Sequence, residues 1–152
     1  MKRFITMLII AALPILLKGQ ISNPDYDPEL AVKLGGNDNG MKSYVLVILK
    51  TGTNNVTDKA LRDSLFAGHM KNIKHLADLG KLIVAGPFGT NDKGYRGIFL
   101  FNVSSVEEAR DLVMTDPTVK EKVFDAEILP WYGSAAIPEY LKYHDRIIKT
   151  KE

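Results

Sequence analysis

Three residues stand out as candidates for chemistry: a histidine and an arginine on one predicted helix, and an aspartate that precedes a proline some fifty residues later. Advancing about 100° per residue from Leu61 puts Leu61 and Leu79 near 0°, Leu65 near 40°, Leu76 near 60° and Ile73 near 120°, an apolar stripe. His69 falls at about 80°, in the middle of that stripe, where a hydrocarbon side chain is the usual occupant. Arg62, at about 100°, shares the face two turns earlier. A titratable ring and a fixed cation on an otherwise apolar face can bracket a small anionic ligand. A core histidine bonded to a backbone carbonyl, with Arg62 reaching solvent from the helix start, fits the pattern equally well. His75, at about 320°, sits with Lys71 and Ser64 on the polar side, so the two imidazoles diverge and do not share a metal.

Asp116 also has two readings. Pro117 holds it out of the helical region, which suits it to cap the following turn. Alternatively its carboxylate holds the His69 ring, fixing the tautomer and making it a better base at neutral pH. Spacing leaves both open.

The elements that must position these residues are legible from pattern. Residues 44–49 (YVLVIL) form a continuous β-branched-rich run, a buried strand. Asp58 caps a helix running to about Leu79 and stopped by Gly80. Short apolar strands follow at 82–85 and 97–103. Ser104 with Glu107, or Ser105 with Glu108, forms a capping box for a helix through about Met114. A short turn starts at Asp116-Pro117, residues 124–131 read as a fourth strand, and 138–148 read as an amphipathic helix on the outside. Strand–helix–strand–strand–helix–strand is the split βαβ order of an α+β, ferredoxin-like fold. Helices on one face of such a sheet leave the other bare, and pairing two bare faces in a homodimer gives a closed or nearly closed α+β barrel.

The chain has 152 residues, with 20 Lys+Arg against 18 Asp+Glu and no cysteine. That is room for a single domain, and it excludes a disulfide scaffold, a thiol nucleophile and a thiolate-bound metal. Residues 1–20 read as a signal peptide: Lys2 and Arg3, then an apolar run at 4–17 too short to span a bilayer, then Gly19. Without Lys2, Arg3 and Lys18 the charge balance becomes 17 to 18, a net −1, which speaks against a nucleic-acid partner. The mature chain is then periplasmic or secreted, with no stable membrane anchor. Residues 21–41 form a lead-in with one short helix capped by Asp27 and ended by Gly35. Its alternating Asp25, Asp27 and Glu29 lack the ligand spacing of a calcium loop. Neither a G-x-x-x-x-G-K-[ST] phosphate loop nor a G-x-S-x-G elbow occurs. Trp131 and Tyr132 are placed to close a cleft by stacking, or simply to pack after the last strand.

Several motifs resemble one family. Gly68-His69-Met70-Lys71-Asn72-Ile73, Ala85-Gly86-Pro87-Phe88, Arg96-Gly97-Ile98-Phe99, Thr115-Asp116-Pro117 and Trp131-Tyr132-Gly133-Ser134 occur in the order found in the YciI-like (YCII-related) family, over residues 42–136. The resemblance implies a dimeric α+β barrel of ferredoxin-like subunits; the C-terminal helix read from the amphipathic pattern, within residues 137–152, lies outside the family domain. It also implies a cleft in each subunit built on a catalytic His–Asp pair, matching His69 and Asp116. Ala85, Gly86 and Pro87 would line the cleft. Many members carry an arginine three residues before the histidine, where this chain has Phe66, so Arg62 or Arg96 would supply the cation. The expected ligand-binding residues are thus Arg62, Phe66, Gly86, Pro87 and Arg96. One relative is a dehydrochlorinase acting on a chlorinated hydroxyquinol, and the wider superfamily includes muconolactone isomerase. The chemistry implied is lyase- or isomerase-like proton transfer on a small oxygenated or aromatic compound, with no redox cofactor and no metal. The alternative is a non-catalytic small-ligand-binding or structural dimer in the cell envelope.

Overall fold

The computed structural model describes residues 23–149, and the expected signal peptide lies outside the described residues. A short helix, α1 (Pro28–Leu34), opens the described chain; Asp27 accepts from the Leu30 amide at 2.9 Å, and Gly35 closes it at φ +71°. The remaining elements are β1 (Met41–Thr51), α2 (Lys59–Asp78), β2 (Leu82–Pro87), β3 (Tyr95–Phe101), α3 (Val106–Val113), α4 (Pro117–Lys120) and β4 (Phe124–Ser134). A 3-10 turn (Ile137–Tyr140) then leads into α5 (Leu141–Ile147).

The four strands form one antiparallel sheet in the order β2-β3-β1-β4, the ferredoxin-like arrangement. Central β1 pairs with β4 from Met41↔Ser134 to Thr51↔Phe124, so both strands run longer than expected. β3 starts at Tyr95 and ends at Phe101, two residues ahead of expectation at each end. β2 continues through Pro87, which an edge strand tolerates because its outer amide needs no ladder partner.

Alternation along the strands sorts the core. Val45, Val47 and Leu49 share a face with Phe99 and Phe101 across one ladder and with Ala126 and Ile128 across the other. The helices cover that face, contributing Leu76, Ala109, Val113 and Val119. Each fully buried valine, leucine or phenylalanine side chain among them contributes about 1.5–3 kcal/mol. Ser105, not Ser104, caps α3, accepting from the Glu108 amide at 3.2 Å.

α2 keeps its expected limits, with Asp58 accepting from the Leu61 amide at 2.9 Å and Gly80 at φ +67°. Its buried face is shorter than the apolar stripe. Leu76 is buried and Leu65 and Ile73 are half-buried, whereas Leu61 and Leu79, near the two ends of this 20-residue helix, are more than half exposed.

The second sheet face, expected to be bare, is instead partly covered by the chain's own C-terminal segment. Ile137 and Leu141 pack against Tyr44, Ile83 and Leu100, and the Tyr140 hydroxyl donates to the Ile83 carbonyl. Leu46, Ile48 and Ile98 stay half-buried on this face, and Leu129 and Trp131 are exposed. No helix among the described residues is long and apolar enough to cross a membrane.

Candidate active site

α2 carries His69 on its buried face, and α4 begins directly opposite. The close approach of the two helices depends on Gly68: a Cβ there would lie 2.7 Å from Pro117 Cγ. At this contact His69 Nδ1 lies 2.5 Å from Asp116 Oδ2, with the imidazole 12% exposed and the carboxylate 0%. Asp116 makes the capping contact and the contact to His69 at once, because a carboxylate has two oxygens. Oδ1 accepts from the Thr118 amide at 2.9 Å and from the Thr118 hydroxyl at 2.6 Å, capping α4, while Oδ2 faces the ring. Sequence reasoning missed Thr118, although its position two residues after an N-cap aspartate was the signal.

Asp116 titrates below its ordinary value of 3.8. Burial pushes it up, but hydrogen bonds from His69 and Thr118, with the charge of a protonated His69, outweigh burial. The carboxylate is therefore ionised at neutral pH and can only accept, so Nδ1 carries the ring proton and Nε2 is left as the basic nitrogen. A folded-state value below the unfolded one stabilises the protein fully above 3.8 and loses that contribution as pH falls through the folded value. Thermal unfolding midpoints measured at decreasing pH should accordingly drop more steeply below about pH 4 in the wild type than in Asp116→Asn.

Aromatic rings hold the imidazole plane. Phe99 stacks on it at 5.9 Å and 27°, while Phe66 and Phe124 meet it edge-on at 6.2 and 5.8 Å. His69 opens onto a cavity of about 850 Å³, within the usual range for small-molecule sites. Every expected ligand-binding residue (Arg62, Phe66, Gly86, Pro87 and Arg96) lines this cavity, as does Ala85. Asp116 stands behind His69 and does not line it.

The loop after β1 forms one wall through Gly52, Asn54 and Val56. Its path across the start of β4 requires glycine at 52, where a Cβ would lie 2.1 Å from the Lys122 carbonyl oxygen. The Gly52 amide donates to Val123 O, and the Asn54 amide to Lys122 O, both at 2.9 Å. Arg96 is tethered at the rim, its Nε donating to Thr51 Oγ1 at 2.7 Å. His75 is exposed on the far side of α2 and takes no part.

Trp131 and Tyr132, expected to close the cleft or to pack, do not line the cavity. β4 turns Trp131 to the other sheet face, 5.7 Å from the Tyr44 ring, and the Tyr132 hydroxyl accepts from Asn37 Nδ2 at 2.6 Å. Sequence reasoning also missed Phe99 and Phe124, because strand register decides which strand residues meet the ring, and the cavity-lining His144 of α5.

Among solved structures, the chain is similar to 5-chloro-2-hydroxyhydroquinone dehydrochlorinase (TftG) from Burkholderia phenoliruptrix AC1100, in complex with 2,5-dihydroxybenzoquinone. The two share 23% identity at a TM-score of 0.41, over 57% of this chain and 92% of that one. No curated protein matches. The model of the YCII-related domain matches residues 44–132, from the first core residue of β1 to near the end of β4, and spans His69, Asp116 and most of the cavity wall, so the chain belongs to the YCII-related domain family.

Proposed function

We propose that the chain is a cofactor-independent acid–base enzyme acting on a small oxygenated or aromatic compound. The observation that carries this reading is the buried Asp116 carboxylate holding His69 Nδ1, which leaves the other ring nitrogen to a cavity walled by phenylalanines. Nε2 takes a proton from an acidic C–H or O–H of the ligand, and the resulting imidazolium is stabilised by Asp116. The ligand's electron pair then either accepts that proton at another atom, an isomerisation, or expels a leaving group, an elimination. His69 is the catalytic residue, Asp116 positions it, and Thr118 positions Asp116.

The half-buried apolar strip of Leu46, Ile48 and Ile98 supports pairing with a second copy, and the basic-then-apolar start of the chain supports work outside the cytoplasm.

Proton transfer is tested by incubating the protein in D₂O with hydroquinones, hydroxybenzoquinones and enol lactones and following deuterium incorporation by mass spectrometry. The wild type should exchange at least one of these, and His69→Ala should not. A folded wild type that binds such compounds without exchanging any would instead favour a non-catalytic binding protein.

A further inference from the structure

The cavity does not end at the helix side of the sheet. β2 is an edge strand; Ala85 and Pro87 point toward the helix side, while Gly86 lies on the sheet face that carries the C-terminal segment. A Cβ at Gly86 would meet no atom within 4 Å, so the wall is open there, and His144 of α5 lines the same cavity as His69. Leu141, one turn earlier, anchors α5 on the sheet, and the His144 ring packs edge-on against Tyr140 at 6.4 Å.

The permanently charged side chains lining this space, among the described residues, are both arginines. Among the described residues the lining includes Arg62, Arg96, His69 and His144, and no aspartate, glutamate or lysine. Neither arginine has a carboxylate within 4 Å among the described residues, and the one side-chain partner of Arg96 is the neutral Thr51 hydroxyl. Two guanidinium groups without counterions beside phenylalanine walls form a receptor for a flat ring bearing a carboxylate.

We propose that the site extends past the edge strand to His144, and that Arg62, Arg96 and His144 receive the carboxylate of an aromatic acid whose reacting atom faces His69. This deepens the acid–base reading and rests on it for the orientation of the ligand. Arg62 and Arg96 supply the charge. His144 supplies an N–H donor from a segment lying outside the matched family region.

The test uses 4-hydroxybenzoate and its neutral near-isostere 4-hydroxybenzamide, titrated against the full-length protein while the three histidine ring signals are followed by NMR. The benzoate should bind about tenfold more tightly than the benzamide and shift the His69 and His144 signals while leaving His75 unmoved. The preference should shrink severalfold in His144→Gln, whose exposed position spares the fold, and vanish in the Arg62→Gln/Arg96→Gln double variant. Equal affinities, no binding of either probe at millimolar concentration, or a His144 signal that ignores the benzoate would overturn the proposal. The two readings fail separately: anion preference without deuterium exchange in any compound removes only the catalytic reading, and exchange without anion preference removes only this one.

Discussion

Asp116→Asn should lower the rate of proton exchange by about 10²–10⁴-fold while leaving the chain folded. The two donors of Thr118 decide the outcome. Its amide and hydroxyl both aim at Oδ1, so in the variant the single amide oxygen of asparagine is held there. The amide NH₂ then faces His69 Nδ1 and forces that nitrogen to accept. The ring proton moves to Nε2, and the nitrogen facing the cavity is no longer a base. His69→Ala removes the base outright and should fall to the same floor, so the double variant should be no worse than either single one. Deuterium incorporation and thermal unfolding measured on the same samples separate the outcomes. Normal exchange in folded Asp116→Asn would show that the pair does no catalytic work.

Gly68→Ala should be harmful in a place where helix propensity says otherwise. Glycine inside a helix normally costs about 1 kcal/mol relative to alanine, so the exchange would ordinarily stabilise. Here the new methyl would sit 2.7 Å from Pro117 Cγ, an atom of a stiff ring at the first turn of α4. The helices must part, and the expected cost is about 1–3 kcal/mol. Parting them also stretches the bond from His69 to Asp116. A misplacement of about 1 Å in such a pair costs on the order of 10²-fold in rate. Chemical denaturation and the exchange assay check both effects, and a Gly68→Ala protein at least as stable and active as the wild type would refute this account of the helix contact.

Local chemistry made much of this molecule readable. Asp58 and Gly80 mark the ends of α2 because capping involves only neighbouring residues, and the same holds for Asp27 and Gly35 around α1. His69 was visible because helical period places it among hydrocarbons. What escaped was set by long-range pairing. The stacking of Phe99 on the imidazole depends on how β3 registers against β1, and no local pattern encodes that. Trp131 faces away from the cleft for the same reason, through its pairing with Tyr44. The docking of α5, and with it His144, depends on two apolar side chains, Ile137 and Leu141, finding a sheet face roughly forty to a hundred residues away in sequence. The two readings of Asp116 could not be ranked from sequence because one carboxylate oxygen caps α4 while the other faces the His69 ring.

The acid–base reading requires that the ionised, buried Asp116 carboxylate fix the inward-facing His69 imidazole as the tautomer with its proton on Nδ1. Long-range ¹H–¹⁵N NMR of the histidine side chains at neutral pH tests it most directly. The expected result for His69 is a protonated Nδ1 with a strongly downfield proton and an unprotonated Nε2, with the pattern reversed in Asp116→Asn. A wild-type His69 ring with its proton on Nε2, or one whose nitrogens ignore the substitution at 116, would rule out the role given to Asp116.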